Sequence, residues 1–339
     1  MRENRALVIS SPGHIALERR PIPEPGRDEA LIEVQYVALC GSDSKLFAGA
    51  YTNPHRYPVV LGHEWVGRAV SVGEGAGDLK PGDFVVGDCS VYCGECAMCA
   101  VNRNHCEAIE KRGITIDGGC ADYIAVNRRH LYRCPPAEDC KPFVLTEPTS
   151  VGANGIGRVP REALGRASRA LVFGAGGIGL LTLLTLQEFP FDEIVMTDPA
   201  REKLELALGF GFPNVRACDD AAGLDPASFG LVVEAAGSAA SLKLCSRLAA
   251  PAAHVVLLGH QKPCELDFGE IMGKSLTIHA SNGSTGGFER ALAIVQKRKG
   301  IIERLITATV PLDEAADYIS RRRHAEGNIK VVIDLRSGR

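Results

Sequence analysis

The residue types best able to bind a metal ion lie in two short stretches near the start of the chain. One is Cys40-Gly41-Ser42-Asp43, and the other runs from Gly62 to Gly67 and contains His63 and Glu64. A thiolate, an imidazole and a carboxylate are ligands of catalytic zinc sites, which use about three protein ligands and leave one position open. Cys and His are also common in protein cores, so the pair alone is weak evidence. The glycines strengthen it, because they permit backbone turns that aim His63 and Glu64 inward.

A second group of thiols has the spacing of a structural zinc site. It comprises Cys93, Cys96, Cys99 and Cys106, and four thiolates with no open position suit one tetrahedral ion. The alternative is a disulfide cluster. We disfavour it because no apolar run follows the basic start 1–5, so we expect no export, and because twelve mostly scattered Cys are typical of reduced cytosolic thiols. Cys89 lies close to this lobe, predicted at about residues 89–107. It is either a substitute ligand or, as we prefer, a small buried residue.

The third pattern predicts a dinucleotide site. A short apolar strand, 170–173, leads into the glycine-rich turn and a helical stretch, 180–188; the turn comprises Gly174, Gly176, Gly177, Ile178 and Gly179. Such glycines allow a tight turn, close approach to a pyrophosphate and close packing of helix on strand. A second strand ends at Asp198, whose carboxylate accepts from a ribose hydroxyl and repels a 2′-phosphate, so NAD is preferred over NADP. Arg201 and Lys203 are expected beside the adenosine or on a solvated helix face.

Composition argues against several classes of function. The net charge is −3 and the longest basic run is Arg321-Arg322-Arg323-His324, expected to cap a surface helix, so we expect no nucleic-acid partner. The apolar stretch 170–186 is interrupted by glycines and is not expected to span a membrane. We therefore expect a cytoplasmic protein with a small-molecule substrate.

The predicted pattern of secondary structure changes along the chain. Short β-like runs such as 30–37 and 83–87 predict a β-rich, barrel-like domain over residues 1–149. Strands alternating with helical stretches predict a doubly wound parallel sheet over 150–286, an α/β arrangement. The last segment, 287–339, begins with an amphipathic helix over 288–297, and its final strand, 330–335, is expected to rejoin the first domain.

Taken together, these motifs resemble the zinc-containing medium-chain dehydrogenase/reductase family, on its polyol and threonine dehydrogenase side. The resemblance covers essentially the whole chain and also includes Gly118 to Tyr123 and Glu147-Pro148. It implies a GroES-like catalytic domain, a Rossmann domain for NAD and a homodimer or homotetramer.

The resemblance also implies roles for individual residues. Cys40 and His63 would be ligands of the catalytic zinc, and Glu64 and Glu147 would supply the remaining carboxylates, directly or through water. Asp43 would orient His63. Zinc would polarise a substrate hydroxyl, Ser42 would pass its proton toward solvent, and the nicotinamide would accept the hydride.

Two positions depart from the family pattern. The interval from Cys99 to Cys106 is one residue shorter than in most members, which puts the lobe's zinc in question. Lys45 stands where many sorbitol and threonine dehydrogenases carry His. A surface lysine is the ordinary interpretation, but a lysine in the cleft would bind a hydroxyl or an anionic group, or take part in proton transfer.

The substrate is less well defined than the reaction. A Glu-type zinc site and few aromatic residues favour a polyol, cyclitol or aminocyclitol over a long apolar alcohol. The Cys-Gly-Ser-Asp and Gly-His-Glu-Trp forms, with Gly327-Asn328, are similar to aminocyclitol dehydrogenases. Threonine or sugar-phosphate dehydrogenase is the alternative within the family. A zinc-free reductase and a non-catalytic dinucleotide-binding protein are the alternatives from other classes.

Overall fold

The computed structural model describes residues 3–259, 263–321 and 327–338. The chain forms two compact units, of which the first combines Met1–Glu147 with Ser284–Arg339 and the second is Pro148–Gly283. The sequence analysis had divided the chain at 149/150 and 286/287. Residues 322–324 of the predicted basic run lie outside the described residues.

The first unit is built mainly of β-strands. Its strands are β1 Asn4–Ser11, β2 His14–Arg20, β3 Glu29–Ala38, β4 Val59–Val60, β5 Glu64–Val72, β6 Phe84–Gly87, β7 Ser90–Val91, β8 Glu110–Lys111, β9 Tyr123–Asn127, β10 Leu131–Arg133, β17 Ile306–Pro311 and β18 Lys330–Asp334. The largest sheet has the order β10-β6-β5-β3-β18-β17, with β9 also paired to β3. Two smaller sheets have the orders β2-β1-β4 and β7-β8.

Strand β3 lies at the centre of the large sheet. Its alternating pattern buries Ala30, Ile32 and Val34 in the core, as expected for a strand with one face inward. It pairs antiparallel with β5, β9 and β18. The pairing with β18 joins the end of the chain to its beginning within this unit.

Short helices complete the first unit. They are α1 Gly41–Phe47, α2 Ala97–Val101, α9 Phe288–Lys297, α10 Lys299–Leu305 and α11 Leu312–Ser320, with 3-10 turns at Arg103–His105, Arg128–His130 and Lys141–Leu145. Helix α9 has the predicted bounds and buries Phe288, Leu292 and Val295 on one face. Arg321 directly follows α11.

The second unit is a parallel sheet flanked by helices. Its strands are β11 Arg169–Phe173, β12 Glu193–Thr197, β13 Val215–Cys218, β14 Phe229–Glu234, β15 Ala249–Leu257 and β16 Thr277–Ala280. Every pair is parallel, and the order is β13-β12-β11-β14-β15-β16. The helices are α3 Thr146–Ile156, which begins in the first unit, α4 Arg161–Arg166, α5 Gly177–Leu186, α6 Arg201–Leu208, α7 Ala239–Leu248 and α8 Phe268–Gly273, with a 3-10 turn at Ala221–Gly223. The predicted α/β class, with a β-rich domain and a doubly wound sheet, is confirmed.

Within the described residues, none of the helices combines the length and the apolar character needed to cross a membrane.

Candidate functional site

Cys40 occupies the junction between strand β3 and helix α1. It is the residue before the first helical residue, and its backbone N–H donates to Oδ2 of Asp43 at 2.8 Å. A carboxylate three residues into a helix commonly satisfies the free N–H groups at the start of the helix. This bond fixes the backbone that carries the Cys40 thiol.

The turn before β5 positions His63. Gly62 has a φ of +95°, and a Cβ atom there would lie 2.8 Å from a side-chain carbon of Val37. Only glycine fits such a position, so the chain can turn and direct His63 inward. Gly67 serves differently from our prediction: it lies inside β5, where a Cβ would come 2.6 Å from the carbonyl oxygen of Glu33. It allows close strand packing, not a turn.

Three potential ligands converge at this junction. Cys40, His63 and Glu64 each offer a ligand atom, and these atoms lie within 4.8 Å of one another. His63 and Glu64 are 5% and 1% exposed. A buried cluster of thiol, imidazole and carboxylate fits a catalytic zinc ion, because its charges need compensation and its donor types are those zinc prefers.

The two neighbouring ligands also shift each other's ionisation. Burial raises the pKa of the Cys40 thiol, but the hydrogen bond and charge of His63, together with Lys330, outweigh it and lower the pKa to about 6. Burial lowers the pKa of His63, while the hydrogen bond and charge of Cys40 raise it well above its usual value. The thiolate form, which binds metal, is thus favoured at neutral pH.

Glu64 has a second partner that the sequence analysis missed. The Nζ atom of Lys330, on β18, lies 2.6 Å from both carboxylate oxygens of Glu64 and 3.5 Å from the carbonyl oxygen of Leu39. Burial lowers the pKa of Lys330, and the charges of Glu64 and Cys40 more than offset it, so the pKa is raised and the amine stays protonated. A lysine opening the final strand, directly before the three apolar residues 331–333, was the available signal.

The residues expected to support the ligands lie close by. Oδ1 of Asp43 is 3.8 Å from Nδ1 of His63, which is beyond hydrogen-bond distance. The hydroxyl of Ser42, a neighbour of Cys40, is shielded from solvent and has no hydrogen-bond partner among the described residues. A shielded hydroxyl without a partner is available to a bound ligand.

Three further residues surround the cluster. Glu147 is buried, and its charge acts on Glu64, but it is not among the described residues whose ligand atoms converge within 4.8 Å. Cys89 is also outside that group, and burial raises the pKa of its thiol to about 11, as expected for a packing residue. Tyr51, which the sequence analysis missed, is half-buried, and charges on His63 and Cys40 act on its phenol.

Lys45 lies on α1 beside Cys40. Its side chain is exposed and lines a pocket of about 400 Å³ that Cys40, Gly41 and Ser44 also line.

The four-cysteine lobe is assembled despite its shortened interval. The sulfur atoms of Cys93, Cys96, Cys99 and Cys106 lie within 4.8 Å of one another. Cys106 is 3.5 Å from Cys93 and 3.9 Å from Cys96 between sulfur atoms. Backbone N–H groups of Glu95 and Cys96 lower the pKa of the Cys93 thiol to about 6. The set fits one tetrahedral zinc ion.

A buried polar network joins this lobe to the segment that follows residue 283. The side chain of Asn104, inside the lobe, donates to the carbonyl oxygen of Thr285 at 3.0 Å and accepts from its N–H at 3.3 Å. Asp88 accepts from the Ser90 N–H at 2.9 Å and from the Ser284 hydroxyl at 3.4 Å. Asp88 is 0% exposed, and burial raises its pKa to about 6.

In the second unit, the glycine-rich turn connects β11 to α5. Gly174 has a φ of +93°, and a Cβ there would lie 2.9 Å from Ala236. A Cβ on Gly179 would lie 1.7 Å from the carbonyl oxygen of Gly174, whereas a Cβ on Gly176 would meet nothing within 4 Å. Gly176 thus leaves open space at the start of the ten-residue helix α5. The helix itself begins with Gly177 and the half-buried Ile178. The open space and the free N–H groups of the helix fit a pyrophosphate.

Asp198 follows β12 and contacts the same turn. Its Oδ2 accepts from the N–H of Ala175 at 2.9 Å, and its Oδ1 accepts from that of Ala200 at 2.9 Å. Arg201 pairs with Asp219 at 2.9 Å, and Lys203 is half-buried in the first turn of α6. The carboxylate is thus held against the glycine-rich turn, directly after the end of β12.

Two family models match the chain. The alcohol dehydrogenase GroES-like domain matches residues 26–136, and the glucose dehydrogenase C-terminus matches residues 141–335.

Curated relatives are similar over most of their length. The starvation-sensing protein RspB of Escherichia coli is 32% identical over 93% of this chain and 94% of its own. D-altritol 5-dehydrogenase of Agrobacterium fabrum is 26% identical over 96% and 98%. Galactitol 1-phosphate 5-dehydrogenase of Escherichia coli is 28% identical over 89% and 91%.

Solved structures agree with these matches. A zinc-binding dehydrogenase of Sinorhizobium meliloti bound to NADP has a TM-score of 0.89 and 29% identity, over 98% of this chain and 100% of that one. The short chain alcohol dehydrogenase rspB of Escherichia coli, complexed with NADH, has a TM-score of 0.85 and 29% identity, over 98% and 99%. The predicted family and reaction class are confirmed: the chain belongs to the zinc-type alcohol dehydrogenase family of nicotinamide-dependent oxidoreductases.

Proposed function

We propose that this dehydrogenase oxidises a secondary hydroxyl of a polyol, cyclitol or aminocyclitol with NAD, and catalyses the reverse reduction. The observation that carries the proposal is the convergence of Cys40, His63 and Glu64, whose ligand atoms lie within 4.8 Å of one another. Relatives named for D-altritol and galactitol 1-phosphate support a polyhydroxylated substrate.

Cys40 and His63 would hold the catalytic zinc, with Glu64 and Glu147 as the carboxylates. Zinc would supply a Lewis acid that lowers the pKa of a bound hydroxyl. Because both oxygens of Glu64 are bonded to Lys330, Glu64 can bind metal directly only if it gives up part of that ion pair. Lys330 therefore governs how available Glu64 is to the metal.

Ser42 would relay the substrate proton: its oxygen would take up that proton while its own hydroxyl proton passes on toward solvent. Its hydroxyl is shielded, lacks a partner among the described residues and lies two positions from Cys40. A positioned proton acceptor of this kind typically contributes about 10²–10⁴-fold to the rate.

The glycine-rich turn, with Gly174, Gly176 and Gly179, would bind the pyrophosphate of NAD. Asp198 would accept from a ribose hydroxyl and disfavour the 2′-phosphate of NADP. Lys203 would lie near the adenosine. The cysteines of the lobe, Cys93 to Cys106, would hold the structural zinc.

We also propose a cytoplasmic homodimer or homotetramer. The edge strand β16 and the helix α8 expose Ile278, Phe268 and Met272 at 42%, 66% and 77%. An open strand edge beside exposed apolar side chains favours pairing with a second copy. Light scattering after gel filtration tests this, and a monomeric mass at micromolar concentration would contradict it.

The test of function is the formation of NADH by the zinc-loaded protein with a panel of hydroxylated substrates. The panel comprises sorbitol, galactitol, galactitol 1-phosphate, myo-inositol, scyllo-inositol, 2-deoxy-scyllo-inosamine and threonine. Turnover of a polyol or cyclitol supports the proposal. Turnover of threonine alone, or of nothing by protein that binds NAD and zinc, would contradict it.

A further inference from the structure

The pocket beside Cys40 has an uneven distribution of charge. It has a volume of about 400 Å³ and is lined largely by glycine and apolar side chains, including Phe47, Ile329 and Val331. Among the described residues that line it, Lys45 supplies the charged side chain. Lys45 thus adds a positive charge to a largely apolar cavity that Cys40 also lines.

The charge of Lys45 is not paired with an acidic side chain in the part of the chain that the structure describes. Its ammonium group has no ion-pair or hydrogen-bond partner among residues 3–259, 263–321 and 327–338. Asp43, the nearest acid in sequence, is 2% exposed and bonded to the Cys40 backbone. Lys330, by contrast, forms an ion pair with Glu64. Of these two lysines, Lys45 is the one available to a ligand.

A purely structural role does not account for this position. Lys45 lies in the last turn of α1, where a cation interacts favourably with the helix dipole. That interaction is equally good for a side chain directed away from the pocket. An ammonium group that lines a pocket and has no acidic partner among the described residues is instead suited to phosphate or carboxylate oxygens.

We propose that Lys45 binds an anionic oxygen, of a phosphate or a carboxylate, in the pocket beside Cys40. The inference rests on the proposed function, because the molecule that carries the anion would be either the polyol substrate or the dinucleotide that reacts with it. The anion has two sources: an acidic group on the polyol substrate, or a phosphate of the dinucleotide.

The anion-binding role is tested without turnover, by alkylating Cys40. Iodoacetate carries a negative charge and iodoacetamide does not, so the ratio of their rates at Cys40, read by peptide mass spectrometry, reports the positive charge nearby. We expect Lys45→Gln to lower the ratio about tenfold and Lys45→Arg to preserve it. Lys80→Gln, which removes an exposed lysine that does not line this pocket, is the matched control. An unchanged ratio in Lys45→Gln would overturn the proposal.

Steady-state kinetics and binding then separate the two sources. If the anion is on the substrate, Lys45→Gln raises the KM of galactitol 1-phosphate about tenfold more than it raises the KM of galactitol. If it is a dinucleotide phosphate, the variant raises the Kd of NAD measured by calorimetry without polyol. A wild-type protein that oxidises no polyol refutes the proposed function, whereas the alkylation ratio still decides the role of Lys45.

Discussion

Lys330 holds both carboxylate oxygens of Glu64 at 2.6 Å, across 266 residues of sequence. Both side chains are buried, with exposures of 7% and 1%. The last strand of the chain therefore supplies the counter-charge for a carboxylate next to the candidate zinc ligands Cys40 and His63. Closing the large sheet with β18 is thus a condition for a correctly charged site.

Removing Lys330 should destabilise the protein strongly. Lys330→Met leaves the carboxylate of Glu64 buried without a partner, and breaking a buried pair in this way costs about 3–5 kcal/mol. Urea unfolding of protein with matched zinc content measures this loss. The double variant Glu64→Gln/Lys330→Met, which removes both charges, should recover most of it. If Lys330→Met were as stable as the wild type, Lys330 would not be what stabilises the buried carboxylate of Glu64.

Cys106 should be required for zinc in the lobe although the interval before it is short. Cys106→Ser replaces one thiolate of the tetrahedral set with a poor ligand, so one of the two zinc ions should be lost. Metal analysis per chain measures this directly. Cys218→Ser, at a cysteine outside both candidate metal clusters, is the control and should keep both ions. Equal zinc content in the two variants would mean that Cys106 is not a ligand.

Asp198 should control affinity and selectivity for NAD. Asp198→Ala removes a charged acceptor and leaves the N–H of Ala175 without its bond, and such bonds contribute about 1.5–3 kcal/mol, so the Kd for NAD should rise about tenfold or more. The preference for NAD over NADP should shrink, because the repulsion of the 2′-phosphate is lost. Calorimetry with both dinucleotides checks this. The control is Asp225→Asn, which changes an exposed acid outside the glycine-rich turn. An unchanged ratio between the Kd values for NAD and NADP would argue against the role assigned to Asp198.

Asp88 should make stability depend on pH. Burial raises the folded-state pKa of Asp88 from 3.8 to about 6, so the folded protein binds the proton more tightly than the unfolded chain. The stabilisation by this protonated carboxyl is fully present below about pH 4 and is lost as the pH rises through 6. A pKa shift of that size corresponds to a change of about 3 kcal/mol in the free energy of unfolding.

The variant Asp88→Asn cannot ionise and should lack this loss. Its free energy of unfolding, minus that of the wild type, should therefore grow from about pH 4 to about pH 7. Urea unfolding across that range measures the difference. A difference that stays constant with pH would contradict the assigned ionisation.

The sequence predicted what depends on local pattern. The strands at β11 and β12, the amphipathic helix α9 and the glycine-rich turn follow from short-range periodicity and from glycine's lack of a Cβ. The four-cysteine lobe follows from ligand spacing, and its sulfur atoms converge in the structure, where a 3-10 turn at Arg103–His105 directly precedes Cys106.

What the sequence did not reveal depends on contacts between distant segments. Lys330 is 266 residues from Glu64, and pairing of β18 with β3 is what brings them together. Tyr51, whose phenol interacts electrostatically with His63 and Cys40, lies in a loop, which has no periodic signal. Gly67 was read as a turn residue, but its role depends on how closely β3 approaches β5.

The most direct test of the account is the zinc dependence of polyol oxidation. Turnover of the best substrate in the panel should vanish when the protein is treated with a chelator, return with added Zn²⁺, and be absent in Cys40→Ser, while that variant still binds NAD at the glycine-rich turn. Full turnover by the chelated protein, or by Cys40→Ser, would contradict the assignment of Cys40, His63 and Glu64 as the catalytic zinc site.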